Sequence, residues 1–183
     1  MRSRTGNQTR LTGWQGVSLI AITYIYFLIF AQFGFLKRLA ELGIAVNQLK
    51  PIMGAMAFGG IVASLLASRL ENFSSPAQRL QLAFAGCAAG AVLTLLPMNL
   101  GGALGISLLI GAALGVLTVT LVTHLKRWIG EAQPLLKVGL GVGLAYFICN
   151  YPPLFEATPG AMAITSAILC AAGVVAASFE SSK

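Results

Sequence analysis

The chain alternates between long apolar runs and short polar breaks. Six runs of about 20 residues contain no Asp, Glu, Lys or Arg. An α-helix rises about 1.5 Å per residue, so roughly 20 apolar residues cross the hydrocarbon core of a bilayer. Since backbone in lipid must satisfy its own hydrogen bonds, the pattern predicts an all-α polytopic membrane protein, one domain over residues 1–183. The six predicted transmembrane helices cover residues 14–36, 51–68, 80–99, 101–123, 138–155 and 159–179.

Composition supports the bilayer as the main partner of this chain. Hydrophobic residues make up 57% and charged residues 9%, whereas soluble domains carry about 25% charged residues. The net charge of +7 raises the alternative of nucleic acid. However, the basic residues lie in the breaks between spans and form no patch with interleaved aromatic side chains. We therefore expect no nucleic-acid partner.

The basic residues also predict an orientation. With a cytoplasmic N-terminus, nine of them fall in cytoplasmic segments and three in the first outer loop. This positive-inside bias predicts a multi-pass protein with both termini in the cytoplasm. Compact loops without a targeting sequence make the inner (plasma) membrane the default expectation for its location. The first run is too long for a signal-peptide core and is followed by two basic residues, so we expect an uncleaved first span. The cytoplasmic set is Arg2, Arg4, Arg10, Arg69, Arg79, Lys126, Arg127, Lys137 and Lys183, and the outer set is Lys37, Arg38 and Lys50.

Small residues recur at every fourth position in several spans. This spacing places them on one helix face, where they let neighbouring backbones approach closely. Tight helix packing is the simpler interpretation, and helix sliding during a transport cycle is the alternative. The repeated positions are Ala55, Gly59, Ala63 and Ala67; Gly86 and Gly90; Ala103, Ser107, Gly111 and Gly115; and Ala163, Ala167 and Ala171.

The end of the second span carries the sequence Ser-Leu-Leu-Ala-Ser-Arg, residues 64–69, after a Leu-Gly-Ile turn at 42–44. This region resembles the major facilitator superfamily of secondary transporters, whose loop motif reads Gly-x-Leu-Ala-Asp-Arg-x-Gly-Arg-Arg. Ser64 stands at the first Gly and Arg69 matches the first Arg. Ser68 replaces the Asp, so the charge contact that this carboxylate makes in the family is missing. The chain also lacks the Gly-Arg-Arg ending, the Arg that many proton-linked members carry in the fourth span, and the Gly-Pro of the antiporter motif.

The resemblance implies one six-helix half of such a transporter, built from two three-helix units. It implies alternating-access transport of a small-molecule solute by a half-size or truncated protein, which needs a second copy or a second half-transporter. In that fold the first, second, fourth and fifth helices line the cavity, so polar side chains there become candidate substrate contacts. Backbone bonding by Thr, an interfacial place for Tyr and helix–helix bonding by Gln and Asn are the alternatives. The candidates are Tyr24, Gln32, Thr118, Thr120, Tyr146 and Asn150.

Enzymatic chemistry is not expected. No ionisable side chain lies deep in a predicted span, and the single histidine, His124, adjoins basic residues at the end of the fourth. Cys87, Cys149 and Cys170 lack metal-ligand spacing and are interpreted as packing residues. We expect no cofactor and no metal, and a neutral or amphiphilic solute is favoured over a strongly charged one because a buried ion needs a counter-charge. A non-transporting membrane subunit or interaction protein is the alternative function.

Overall fold

The structure, a computed structural model, describes residues 5–69 and 74–181, with side chains described over 14–69 and 74–178. Every regular element in these ranges is helical, which confirms the all-α prediction. The elements are α1 (Thr5–Ile25), a π-helical segment (Tyr26–Gly34), α2 (Phe35–Glu41), α3 (Val46–Arg69), α4 (Pro76–Leu93), α5 (Leu100–Thr123), α6 (Leu125–Ile129), α7 (Pro134–Cys149), α8 (Pro152–Phe155) and α9 (Pro159–Ser181).

Four of the described helices are long and apolar enough to cross a membrane. A multi-pass membrane protein is therefore supported by the helices themselves. The other two predicted spans correspond to α4, which carries Gln78, Arg79 and Gln81 in its first turns, and to α7, which is a shorter apolar helix of 16 residues. The four long spans are Trp14–Glu41, Val46–Arg69, Leu100–Thr123 and Pro159–Ser178.

The first span continues beyond its predicted end. It passes from α1 through nine π-helical residues into α2 without a break, and the amide of Phe35 donates to the carbonyl of Phe30, five residues back. Lys37 and Arg38 lie within the continuing helix, and their long side chains reach backbone carbonyls of neighbouring segments. Lys37 Nζ donates to the Phe155 carbonyl at 3.0 Å, and Arg38 Nε donates to that of Thr94 at 3.0 Å.

Other boundaries follow local capping chemistry. A capping box of Ser75 and Gln78, with Pro76 at the first helical position, starts α4 before its predicted first residue. The same helix ends at Leu93, so the predicted stretch 94–99 forms the connection to α5. The side chain of Asn99 accepts from the Gly102 amide at 2.9 Å and starts α5.

Helix pairing shows an internal symmetry. The first long helix (5–41), α3 and α4 form one set, and α5, α7 and α9 form a second. Among these six helices the packed pairs are α3 with α5, α1 with α7, α4 with α5, the first helix with α9, α4 with α9, and α1 with α5, while the short α6 packs on α1 outside this scheme. If the first helix is exchanged with α5, α3 with α7 and α4 with α9, every packed pair becomes a pair that is also packed. The two halves of the chain therefore pack by one scheme.

The pairing leaves α3 and α7 at the edges of the bundle. Within the described residues, α3 packs extensively on α5 alone, and α7 mainly on α1. Burial agrees with this arrangement. Of the 18 most apolar consecutive residues in each helix, 67% are buried in the first helix and 22% in α3. The core lies between the first helix, α4, α5 and α9, where the Tyr26 hydroxyl donates to the Cys87 carbonyl at 2.9 Å. One side of the bundle, between α3 and α1, remains open.

Candidate functional site

A cleft of about 890 Å³ occupies the open side of the bundle. One face of α3 and one face of the first helix (α1 and the start of the π-helical segment) form its two walls, and α5 forms its floor. Leu125 of α6 and Val138 of α7 close one end, which we call the α6 end. The other lining residues are Ile20, Thr23, Tyr24 and Phe27; Met53, Met56, Ala57, Gly60, Ile61, Ser64 and Leu65; and Gly111, Leu114, Gly115, Thr118, Leu121 and Val122.

The corner between wall and floor is fixed by backbone contact. A Cβ atom added at Gly59 of α3 would lie 2.6 Å from the Leu108 carbonyl oxygen of α5. A Cβ added at Gly111 would overlap the Met56 carbonyl oxygen. Only glycine permits this approach, so the predicted packing role of the small residues in these two helices is confirmed.

A hydroxyl group adds one polar tie at the same interface. Ser107 of α5 is fully buried, and its hydroxyl donates to the Ile52 carbonyl of α3. The serine thus bonds across the helix pair instead of to its own backbone. This bond and the glycine contacts hold α3 against α5 along the length of the cleft.

The cleft is apolar apart from four hydroxyl groups. Thr23 and Thr118 each donate to a carbonyl four residues back on their own helix, at 2.8 Å in both cases. Tyr24 is 39% exposed, and neither its hydroxyl nor that of Ser64 bonds to a partner within the described part of the chain. Two hydroxyls are therefore free to donate to a ligand, and two keep only lone pairs to accept with.

The short α6 helix packs on α1 at the α6 end. Trp128 and Ile129 are buried under α1, where a Cβ at Gly16 would lie 2.5 Å from the Trp128 carbonyl oxygen. Lys137 Nζ donates to the Ile129 carbonyl at the C-terminus of α6. The charge of Lys137 is therefore bound at the C-terminal end of α6.

The structure brings together three residues that the sequence singled out. Tyr24 and Thr118, both candidate substrate contacts, lie in the cleft wall and floor. Ser64, chosen as part of the loop motif, also lines the cleft, and its Oγ lies 2.9 Å from the position of a Cβ on Gly115. The sequence could have indicated this placement, because the serine lies at helical spacing on a face that is otherwise apolar.

The other four candidate contacts lie outside the cleft. Gln32 is exposed in the π-helical segment, beyond Phe27, where the lining of the first helix ends. Thr120 is fully buried on the side of α5 away from the cleft. Tyr146 is exposed on α7, and the side chain of Asn150 donates to the Tyr146 carbonyl at 2.8 Å, where it ends that helix.

The remaining motif residues lie at the end of α3. Ser68 is exposed, and its hydroxyl donates to the Leu65 carbonyl at 2.8 Å; Arg69 is the last helical residue, a favourable place for a cation. Arg79 of α4 was interpreted as a topology determinant. In the structure it is 7% exposed, and it donates to the Ala67 carbonyl at 3.4 Å, which joins α4 to the end of α3.

Comparison of the chain with protein-family models, curated proteins and solved structures gives no match. The description of the site therefore depends on its own geometry. Within the described residues, no three His, Cys, Asp or Glu side chains lie close enough together to hold a metal ion. What the cleft provides is an apolar surface with a few hydroxyl groups, a composition typical of small-molecule binding sites.

Proposed function

We propose that the protein is a half-size secondary transporter of the major facilitator type, which moves a small solute by alternating access. The single observation that carries the proposal is the exchange symmetry of helix pairing, in which residues 5–93 and 100–181 pack by one scheme. Transporters of this class contain three-helix repeats within each six-helix half. The loop sequence at 64–69 adds a second, independent point of similarity.

The place of the cleft supports the same proposal. It lies on the open side of the bundle, lined by the first helix, α3 and α5, which are the first, second and fourth predicted spans. A six-helix half supplies only one wall of a central pathway. The cleft would therefore be completed by a second copy of this chain or by a second half-transporter.

The proposed topology has six crossings and places both chain ends and the α6 end in the cytoplasm. Its critical test concerns α4 and α7, which are not among the four long apolar spans. Single cysteines at Ser75 and Leu96 flank α4 and should react with an impermeant maleimide from opposite sides of the membrane. Gln133 and Tyr151 provide the same test for α7. Labelling of both members of a pair from one side would contradict six crossings.

Transport itself is tested in proteoliposomes with a panel of small solutes. We expect uptake that depends on the protein, falls on Ala57→Phe in the cleft, and persists in Ala85→Phe on an exposed part of α4. The same preparation should be at least dimeric by native mass spectrometry in nanodiscs. A strictly monomeric protein that still transports would contradict the half-transporter, and a dimer without uptake of any solute would favour a non-transporting membrane subunit.

A further inference from the structure

We propose that the cleft binds an uncharged amphiphile, with an apolar body along α3 and the first helix and one hydrogen-bonding head group near Ser64 and Thr118. This inference assigns the substrate class of the proposed transporter and rests on that proposed function. It follows from three features of the cleft: its charge, the position of its hydroxyl groups and the character of its apolar part.

The charge of the lining sets the first limit. Among the described residues that line the cleft, none is an Asp, Glu, Lys, Arg or His. The nearby cations belong to α6 and the start of α7, outside the lining, and Lys137 is committed to the Ile129 carbonyl. Because an ion in an apolar site requires a counter-charge, a charged ligand would lose hydration without compensation.

The hydroxyl groups place the head group. Ser64 and Thr118 both line the cleft, on α3 and α5, where the two helices meet: a Cβ at Gly115 would overlap the Gly60 carbonyl oxygen and lie 2.9 Å from Ser64 Oγ. Thr118 follows Gly115 by about one helical turn, so the two hydroxyls border neighbouring parts of the cleft beside this contact. Ser64 can donate, whereas Thr118 donates to the Leu114 carbonyl at 2.8 Å and keeps lone pairs to accept with. An alcohol or amide, which both accepts and donates, matches this pair.

The apolar body fits the opposite part of the cleft. Met53, Met56 and Phe27 line it there, and unbranched thioether side chains adapt to ligands of irregular shape. The cleft volume of about 890 Å³ lies within the usual range for drug-sized ligands, roughly 300–1,000 Å³. A chain or ring system with a single polar end would therefore be accommodated.

Three competitors with the same alkyl chain isolate the head group. The protein in nanodiscs is loaded with the neutral dye N-phenyl-1-naphthylamine, which is displaced with dodecanol, dodecanoate or dodecyltrimethylammonium, with empty nanodiscs as the partition baseline. We expect dodecanol to displace the dye at a concentration lower by about tenfold or more than either ion. Equal or stronger displacement by one of the ions would overturn the assignment of an uncharged ligand.

Variants locate the binding site. Ser64→Ala and Thr118→Val should each weaken displacement by dodecanol by roughly two- to tenfold, the range for one lost hydrogen bond. Ala57→Phe should reduce dye binding by filling the cleft, whereas Ala85→Phe adds the same volume on an exposed part of α4 and should leave it unchanged. Helical circular dichroism and thermal unfolding confirm that each variant is folded.

The binding and transport measurements distinguish a wrong ligand site from a wrong transport function. Dye binding that is unchanged by Ala57→Phe, or absent in a folded protein that still takes up solute, would overturn the cleft as the binding site. Displacement in the expected order by a protein that transports nothing in proteoliposomes would support the ligand class and overturn the transporter. A binding loss caused by Ala85→Phe as large as that caused by Ala57→Phe would also overturn the assignment.

Discussion

The α3–α5 and α1–α7 pairs occupy equivalent places in the helix pairing, yet they pack by different means. In α3–α5 the backbones meet through glycines on both helices, including Gly59 and Gly111. Among the described glycines of α1 and α7, Gly141 alone makes such a contact between the two helices, 2.9 Å from the Val17 carbonyl oxygen, whereas Gly139 and Gly143 face open space. A glycine-rich helix is therefore not by itself a close-packed helix, because the register decides which glycines meet a partner.

This difference also separates the two edges of the bundle in their relation to the cleft. α3 is held along 24 residues against an equally long α5 and supplies a whole wall, while α7 has 16 residues and contributes Val138 alone. Glycine substitutions in α3–α5 should therefore lower the free energy of unfolding more than equivalent substitutions in α1–α7.

The largest effect is expected for Gly111→Ala. The new methyl group would overlap the Met56 carbonyl oxygen, and backbone cannot turn aside as a side chain can. We expect the free energy of unfolding in detergent to fall by about 3 kcal/mol. Gly105→Ala on the same helix is the matched control, because nothing lies within 4 Å of its Cβ position. Equal stability of these two variants would show that the α3 and α5 backbones are not in contact.

A smaller loss is expected for Gly141→Ala in the α1–α7 pair. Its Cβ would approach Ile20 Cγ2 at 2.9 Å, a side-chain atom that can move in part, as well as the Val17 carbonyl oxygen. We expect a decrease of about 1–2 kcal/mol, measured by the same unfolding titration. Gly139→Ala should change stability little, because its Cβ position is open. A loss at Gly141 that exceeds the loss at Gly111 would reverse the comparison.

The smallest effect is expected for Ser107→Ala. The variant loses the bond to the Ile52 carbonyl but keeps the small volume that the helix contact needs. Hydrogen bonds between membrane helices average about 0.6 kcal/mol, so a decrease of about that size is expected. Ser18→Ala serves as the control, since the Ser18 hydroxyl donates to the Trp14 carbonyl on an exposed face of the same helix. A loss of several kcal/mol would mean that this bond, and not the glycine contact, dominates the interface.

The helices were largely predictable because uncharged runs reveal them directly. Their ends were less so, because the ends depend on contacts distant in sequence. Lys37 and Arg38 read as the end of a span, but they reach the carbonyls of Phe155 and Thr94, and the helix continues to Glu41. The π-helical segment was not predicted, because its residue pattern shows no periodicity that distinguishes it from an α-helix.

The site was predictable only in part, for a related reason. Tyr24 and Thr118 reached the cleft because they lie on the faces that α1 and α5 turn toward α3. Thr120, two residues from Thr118, points to a different side of the same helix, and polarity alone did not distinguish the two. Gln32 and Asn150 lie beyond the ends of the lining, and the depth of the cleft along each helix cannot be derived from residue type.

The proposal that a second copy of the chain completes the cleft is tested most directly by spin-label distances in nanodiscs. Labels are placed at Ala57 in the cleft or at Ile168, which is 64% exposed on α9, with Cys87, Cys149 and Cys170 replaced by alanine. Double electron–electron resonance should give a defined distance between copies that is shorter at residue 57 than at residue 168. A monomer without dipolar coupling at either position, or a shorter distance at residue 168, would contradict the account.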